Sequence, residues 1–129
     1  MKLEINDVGG CIVAKLEASR LDHAIAATFR EEILSKAMTS GQTLVLDLSS
    51  VEFIDSSGLG ALMGLRKRLG WSVRIVLAGL RSPVFRVFEL ARVTSVFSFY
   101  TSVDAAVGHS LGEGAGWNGD AVRPAASGG

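Results

Sequence analysis

Two continuous aliphatic runs, each set between helical patterns, constrain this chain more than any other feature. Thr43 to Leu48 and Ser72 to Ala78 are short, mostly β-branched or aliphatic, and do not alternate with polar residues. A strand of that kind is covered on both faces, as in a parallel sheet flanked by helices. The patterns around the runs agree. Ile25, Phe29, Ile33 and Ala37 recur every fourth residue and form one apolar stripe, with Arg30, Glu31, Glu32 and Lys36 opposite. Asp22 is placed to cap this first helix, and Thr39-Ser40-Gly41 to end it. A second helix is expected to begin near Ser57, with Leu59, Leu62, Met63, Leu65 and Leu69 as its apolar surface. Arg66, Lys67 and Arg68 fall in its last turns, where cations suit the negative end of the helix dipole, and Gly70 is a fitting stop. Solvation is the simpler reading of that basic stripe; steering of a partner is the sharper one.

The remaining elements complete an alternating order. Leu3 to Ile5 and Cys11 to Leu16 read as a hairpin across Gly9-Gly10. Ser82-Pro83 announces a third helix, serine as cap and proline at the first position, running to about Val93. Val96 to Tyr100 suits a last strand and Ser102 to Val107 a last helix. Strands alternating with helices imply βαβ crossovers. The expected class is α/β: a mainly parallel central sheet, an N-terminal antiparallel hairpin strand and about four helices. One domain is expected over residues 1–107. Residues 108–129 contain seven glycines and no apolar periodicity, so a disordered tail is expected, with Trp117 incidental to it.

Composition excludes some functions. Thirteen basic and thirteen acidic residues cancel, which argues against general nucleic-acid binding. The cancellation hides an asymmetry: residues 1–55 carry five basic and nine acidic groups, residues 56–107 seven and two. Solvated helix faces account for it in the simplest reading; a bipolar surface that steers a charged partner is the alternative. The single cysteine, Cys11, lies in an apolar run and reads as a small buried hydrophobe. The start has no signal-peptide layout and no apolar run approaches the roughly 20 residues that span a bilayer, so a cytoplasmic protein without membrane insertion is expected.

Between the first aliphatic run and the second helix lies Val51-Glu52-Phe53-Ile54-Asp55-Ser56-Ser57-Gly58-Leu59-Gly60. It sets an acid and two hydroxyls where a strand gives way to a helix N-terminus. The plain reading is structural: Ser56 or Ser57 as an N-cap, Asp55 complementing the helix dipole. The chemical reading is a presented hydroxyl at the carboxyl edge of the sheet, where open α/β folds place their sites. Familiar enzymes lack parts here. The loop is not Gly-x-Ser-x-Gly, and the two histidines, His23 and His109, sit at a helix start and at the edge of the tail. No P-loop run exists. A receiver domain would need an acidic pair after its first strand and a late lysine, whereas no lysine follows Lys67. No Cys/His cluster suggests zinc. A non-enzymatic binding module remains, with no cofactor implied; a nucleotide held at the loop is a weaker idea, for want of base-stacking or phosphate-gripping residues.

The ten-residue stretch resembles the phosphoacceptor loop of STAS-domain anti-sigma factor antagonists, whose signature is Asp-Ser-Ser/Thr-Gly-Leu-Gly after a hydrophobic strand. The resemblance extends over about residues 3–107, through Leu21-Asp22, the strand at Ser72 to Ala78, and Ser82-Pro83 followed by Val87-Phe88-Glu89-Leu90. Ser19 stands where that family often has glycine, two residues before Leu21-Asp22, and the third helix is one residue shorter before its Phe-Glu. The resemblance implies a STAS-like fold and a phosphorylation-controlled partner switch. Ser56, directly after the loop aspartate, would be the modified serine, with Ser57 as the alternative. Asp22, Asp55, Ser56, Ser57, Gly58, Leu59 and Gly60 would meet the partner, an anti-sigma factor that is also a serine protein kinase, and a PP2C-type phosphatase would reset the switch. Gly58 and Gly60 would let the backbone approach a kinase site closely; tight packing of helix on sheet explains them equally. STAS-like domains also serve as non-switching adaptors, for example beside lipid-transport ATP-binding-cassette systems. The oligomeric state stays open between a monomer and a weak dimer.

Overall fold

The computed structural model describes residues 1–36, 38 and 41–109. The expected positions Ala37, Thr39, Ser40 and Trp117, and the tail from residue 110, lie outside the described residues. The chain runs β1 (Lys2–Val8), β2 (Cys11–Glu17), β3 (Arg20–Leu21), α1 (Ala26–Leu34), β4 (Thr43–Asp47), β5 (Phe53–Ile54), α2 (Ser56–Leu69), β6 (Arg74–Ala78), α3 (Ser82–Ala91), β7 (Ser98–Tyr100) and α4 (Val103–Gly108). The main sheet has the order β1-β2-β4-β6-β7. β1 pairs antiparallel with β2 across the turn at Gly9 and Gly10, both at positive φ. Every other pair in that sheet is parallel. The expected architecture is the observed one.

The aliphatic runs fill the middle of the sheet. Leu44 and Leu46 face a core shared with Phe29 and Ile33 of α1, Leu62 and Leu65 of α2, and Phe85 and Phe88 of α3. Phe99 meets the rings of Phe85 and Phe88 edge-to-face at 5.0 and 5.6 Å. Each such side chain, fully buried, contributes about 1.5–3 kcal/mol. Val45 and Val76 face the other way, onto a smaller cluster with Cys11, Tyr100 and α4. Cys11 is buried there, as its apolar run predicts.

Local chemistry shifts several boundaries. α1 starts at Ala26 with Ile25 as an N-cap that makes no side-chain bond. Asp22 instead heads the preceding turn: its carbonyl accepts from the N–H groups of Ile25 and Ala26, and its Oδ1 accepts from the N–H of Ala24 at 3.1 Å. The helix also ends early, at Leu34, where the Ser35 hydroxyl donates to the Glu32 carbonyl and competes for a helix acceptor. Ser82 is not the cap of α3. Arg81 holds that place, and proline follows at the second helical position, still within the turn whose N–H groups lack partners. Arg92, at φ 61°, closes α3 after Ala91 rather than near Val93. α4 is capped by Ser102, whose Oγ accepts from the Ala105 N–H.

Two strands had no expectation. β3 and β5 pair in parallel as a two-residue ribbon, Arg20 with Phe53 and Leu21 with Ile54. They are too short for any periodicity to show. This ribbon positions the site, because it ties the segment before α1 to the segment before α2.

Candidate functional site

The backbone sets the loop before any side chain acts. The Ser19 carbonyl accepts from the N–H groups of Glu52 and Phe53, at 2.7 and 3.2 Å. Ser19 does this without a positive φ, so glycine is not required at that turn. The Leu21 carbonyl then accepts from the Asp55 N–H. Residues 52–55 are therefore held against residues 19–21 and deliver α2 at a fixed place.

Asp55, not either serine, is the N-cap of α2. Its backbone is extended, and its Oδ1 accepts from the Gly58 N–H at 2.9 Å. Its Oδ2 reaches across and accepts from the His23 N–H at 3.1 Å. The Gly58 N–H chiefly, with those of His23 and Ser57, holds the Asp55 carboxyl below the usual carboxylate range, against the opposing effect of partial burial. Asp22 and Asp55 thus grip successive N–H groups of one turn, Ala24 and His23. The two acids that the sequence singles out, 33 positions apart, come together there. Arg20 is drawn in too, its Nε 3.2 Å from Asp22 Oδ2 and its guanidinium 4.1 Å above the ring of Phe53, itself 40 % exposed.

With Asp55 capping, Ser56 and Ser57 become the first two residues of α2, and both are exposed. The glycines part ways. A Cβ on Gly58 would collide with the Leu21 carbonyl oxygen and lie 2.8 Å from Ile54 Cγ1, so only glycine lets α2 press against the ribbon. A Cβ on Gly60 would meet nothing within 4 Å. Leu59 is partly buried and packs against the core. Ser57 and Gly60 border a cleft of about 340 Å³ between α1 and α2, completed by His23, Ala26, Ala27, Arg30 and Ala61. Arg30 lies along it, within 3.3 Å of where a Cβ on Gly64 would sit.

Sequence reasoning found the acids, serines and glycines but missed His23, which takes part through its backbone and leaves no side-chain signal. It also missed Arg30 and the alanines of α1, which fit a solvated helix face equally well. Arg66 is a plainer correction. It is not in a solvated stripe: it is 7 % exposed, and its Nη2 donates to the carbonyls of Gly70 and Val73.

Comparison with known proteins places this arrangement. BtrV of Bordetella bronchiseptica is 29% identical over 107 residues, spanning 82% of this chain and 91% of its own. The anti-sigma-B factor antagonist of Listeria monocytogenes is 31% identical over 80 residues, 61% of this chain and 70% of its own. A crystal structure of an anti-sigma factor antagonist from Mycobacterium paratuberculosis superimposes with a TM-score of 0.75 at 25% identity, covering 84% of this chain and 92% of that one. The family model for the STAS domain matches residues 2–106, and the chain belongs to that family, alongside anti-sigma factor antagonists.

Proposed function

We propose that this chain is an anti-sigma factor antagonist switched by phosphorylation of Ser56. Unmodified, the surface built from Asp22, Asp55 to Gly60 and the open side of α2 docks on an anti-sigma factor that is also a serine kinase, and the sigma factor is freed. The kinase transfers phosphate to the Ser56 hydroxyl, the complex dissociates, and a PP2C-type phosphatase restores the serine. The chain acts in the cytoplasm as a binding partner and not as a catalyst.

One observation carries this reading: Asp55 already occupies the Gly58 N–H at the α2 N-terminus while both serine hydroxyls stand exposed beside it. A helix N-terminus ordinarily welcomes a phosphate. Here the Gly58 N–H is committed to a carboxylate one residue away. A phosphoserine brings about −1.5 to −2 charges. At Ser56 it meets like charge from Asp55, and the helix N-terminus, with its Gly58 N–H already taken, offsets only part of that. Free in water that costs little; pressed into an interface, it adds desolvation to repulsion. A loss of about 3 kcal/mol weakens binding more than hundredfold.

The test is a pull-down from the native cytoplasm with wild type, Ser56→Ala and Ser56→Asp, read by mass spectrometry. Wild type and Ser56→Ala should capture a serine kinase or anti-sigma factor, and Ser56→Asp should not. Equal capture of one partner by all three overturns the switch, and an ATP-binding-cassette subunit in that position identifies an adaptor. Phosphate incorporated into Ser56→Ala by the cognate kinase moves the modified residue to Ser57.

A further inference from the structure

The cleft between α1 and α2 joins the proposed docking surface to a part of α1 that the sequence marks only as a solvated helix face. Ser57 and Gly60, both assigned above to the partner, border it, and so does Arg30. Arg30 lies against Gly64, roughly 10 Å along α2 from Ser57 at 1.5 Å per residue. Between these points the walls are small: Ala27 on α1, Gly60 and Ala61 on α2. None carries more than a methyl group, so the cleft is an open trough of about 340 Å³.

Two glycines of α2 have no explanation in the core. Glycine inside a helix is less favourable than alanine. A Cβ on Gly60 would meet nothing within 4 Å, and a Cβ on Gly64 would meet only Arg30, 3.3 Å from its Cδ and Nη1. Gly60 keeps the trough open, and Gly64 lets the Arg30 stem lie down on α2. Arg30 is held there but not used up. Its Nη2 donates to Glu31 at 3.3 Å, a pair of sequence neighbours whose acid is 66 % exposed, and such exposed pairs contribute little. Its Nε is buried without a hydrogen-bond partner. None of the described residues that line the trough is acidic.

We infer that the trough seats an apolar side chain of the anti-sigma factor, with an acidic residue beside it that pairs with Arg30. This seat rests on the docking proposed above and extends it onto α1. Ser57 and Gly60 border both surfaces, so a protein that covers the loop also covers the mouth of the trough. A bare anion would meet Arg30 and leave the alanine walls in water; a purely apolar group would leave Arg30 without an acid. A partner segment brings both. An apolar anchor in a pocket with a charge pair at its rim is how interfaces gain affinity and choose among partners. Ser56 does not border the trough, so Arg30 sets which anti-sigma factor binds, while the loop serine sets when it is released.

The experiment uses the full chain and the anti-sigma factor that wild type captures, identified by mass spectrometry and then purified. Calorimetry gives dissociation constants for wild type, Ala27→Phe, Ala27→Ser, Arg30→Glu, Arg30→Gln and Ser56→Asp. Ala27 is exposed, so phenylalanine there fills the trough without entering the core, and urea midpoints confirm that each variant is folded. Ala27→Phe and Arg30→Glu should each weaken binding about tenfold or more. Ala27→Ser should bind as wild type, and Arg30→Gln should lose less than Arg30→Glu, because repulsion of the partner's acid is absent. Unchanged binding by either Ala27→Phe or Arg30→Glu, with Ser56→Asp still impaired, overturns the seat and leaves the switch standing. Loss in both, with Ser56→Asp unimpaired, keeps the seat and removes the switch. Capture of no anti-sigma factor or serine kinase by wild type removes both. A dimer of the free chain that Ala27→Phe disrupts assigns the trough to a second copy and overturns the inference.

Discussion

The two ends of α2 solve the same problem in opposite ways. At the N-terminus an acid satisfies the Gly58 N–H; at the C-terminus a cation satisfies the Gly70 carbonyl and, beyond it, that of Val73. Asp55 does its part from a half-buried position and leaves two serines in water. Arg66 does its part from a buried position and leaves a tryptophan in water. Both ends are therefore pinned from inside, and what each presents outward is a chemically useful group on a rigid mount. The difference is in what holds the mount. The N-terminal end is fixed by close backbone contact at Gly58, the C-terminal end by one long side chain. Substitutions at the two ends should differ in size and in reach.

The largest effect is expected at Gly58→Ala. The added methyl meets the Leu21 carbonyl, which belongs to the β3–β5 ribbon and has no rotamer to change. Relief requires α2 to move off the ribbon, at about 2–3 kcal/mol for overpacking of this kind. Urea unfolding should show that loss as a lower midpoint at unchanged slope. A cost under about 0.5 kcal/mol would mean that the ribbon yields, and that the N-terminal end is no more rigid than the other. Arg66→Ala comes next. It leaves the Gly70 and Val73 carbonyls without their side-chain donor and removes the base under Trp71. Unmade hydrogen bonds at buried acceptors cost about 1–3 kcal/mol. The same variant should change the Trp71 emission, a readout that Gly58→Ala should leave alone.

This contrast explains how much of the molecule was legible beforehand. The sheet, its helices and the Asp55–Gly60 junction were legible because they rest on side-chain type: aliphatic runs, four-residue stripes, an acid and serines before a helix. The β3–β5 ribbon was not, because two-residue strands are held by backbone bonds that any sequence can make. The cap was half legible. Asp55, Ser56 and Ser57 all suit an N-cap by type, and only the tether from the Leu21 carbonyl to the Asp55 N–H decides which takes the place. Arg66 misled for a related reason. A cation in the last turn of a helix is at home in water by composition, and its burial follows from where the chain turns after Gly70. For the glycines, type alone left two explanations open, and the structure separates them: packing at Gly58, open space at Gly60.

Acid should weaken the N-terminal end alone. The Asp55 carboxyl titrates below its unfolded value because backbone N–H groups favour the charged form. A group depressed in this way adds stability that is fully present above the unfolded value, about pH 4, and is lost as pH falls through the lower folded value. The stability gap between wild type and Asp55→Ala should therefore be constant from neutral pH down to about pH 5, and should shrink below about pH 4. The gap between wild type and Arg66→Ala should show no matching decline in that window, since a guanidinium stays charged throughout. A gap at Asp55 that is flat into strong acid would mean that the carboxylate charge is not what holds this end.

The smallest effect carries the sharpest functional information. Gly60 lies in the first turns of α2 with open space where a Cβ would go, so Gly60→Ala should stabilise the isolated chain, by up to about 1 kcal/mol from helix propensity. If the backbone at Gly60 is where the partner approaches, the same methyl that firms the free protein should weaken capture in the Ser56 pull-down. The two measurements then move in opposite directions, which no packing account of this glycine predicts. Stabilisation with unchanged capture would place the docking surface elsewhere on α2. At Gly58, by contrast, stability and capture should fall together, because there the glycine serves the fold first.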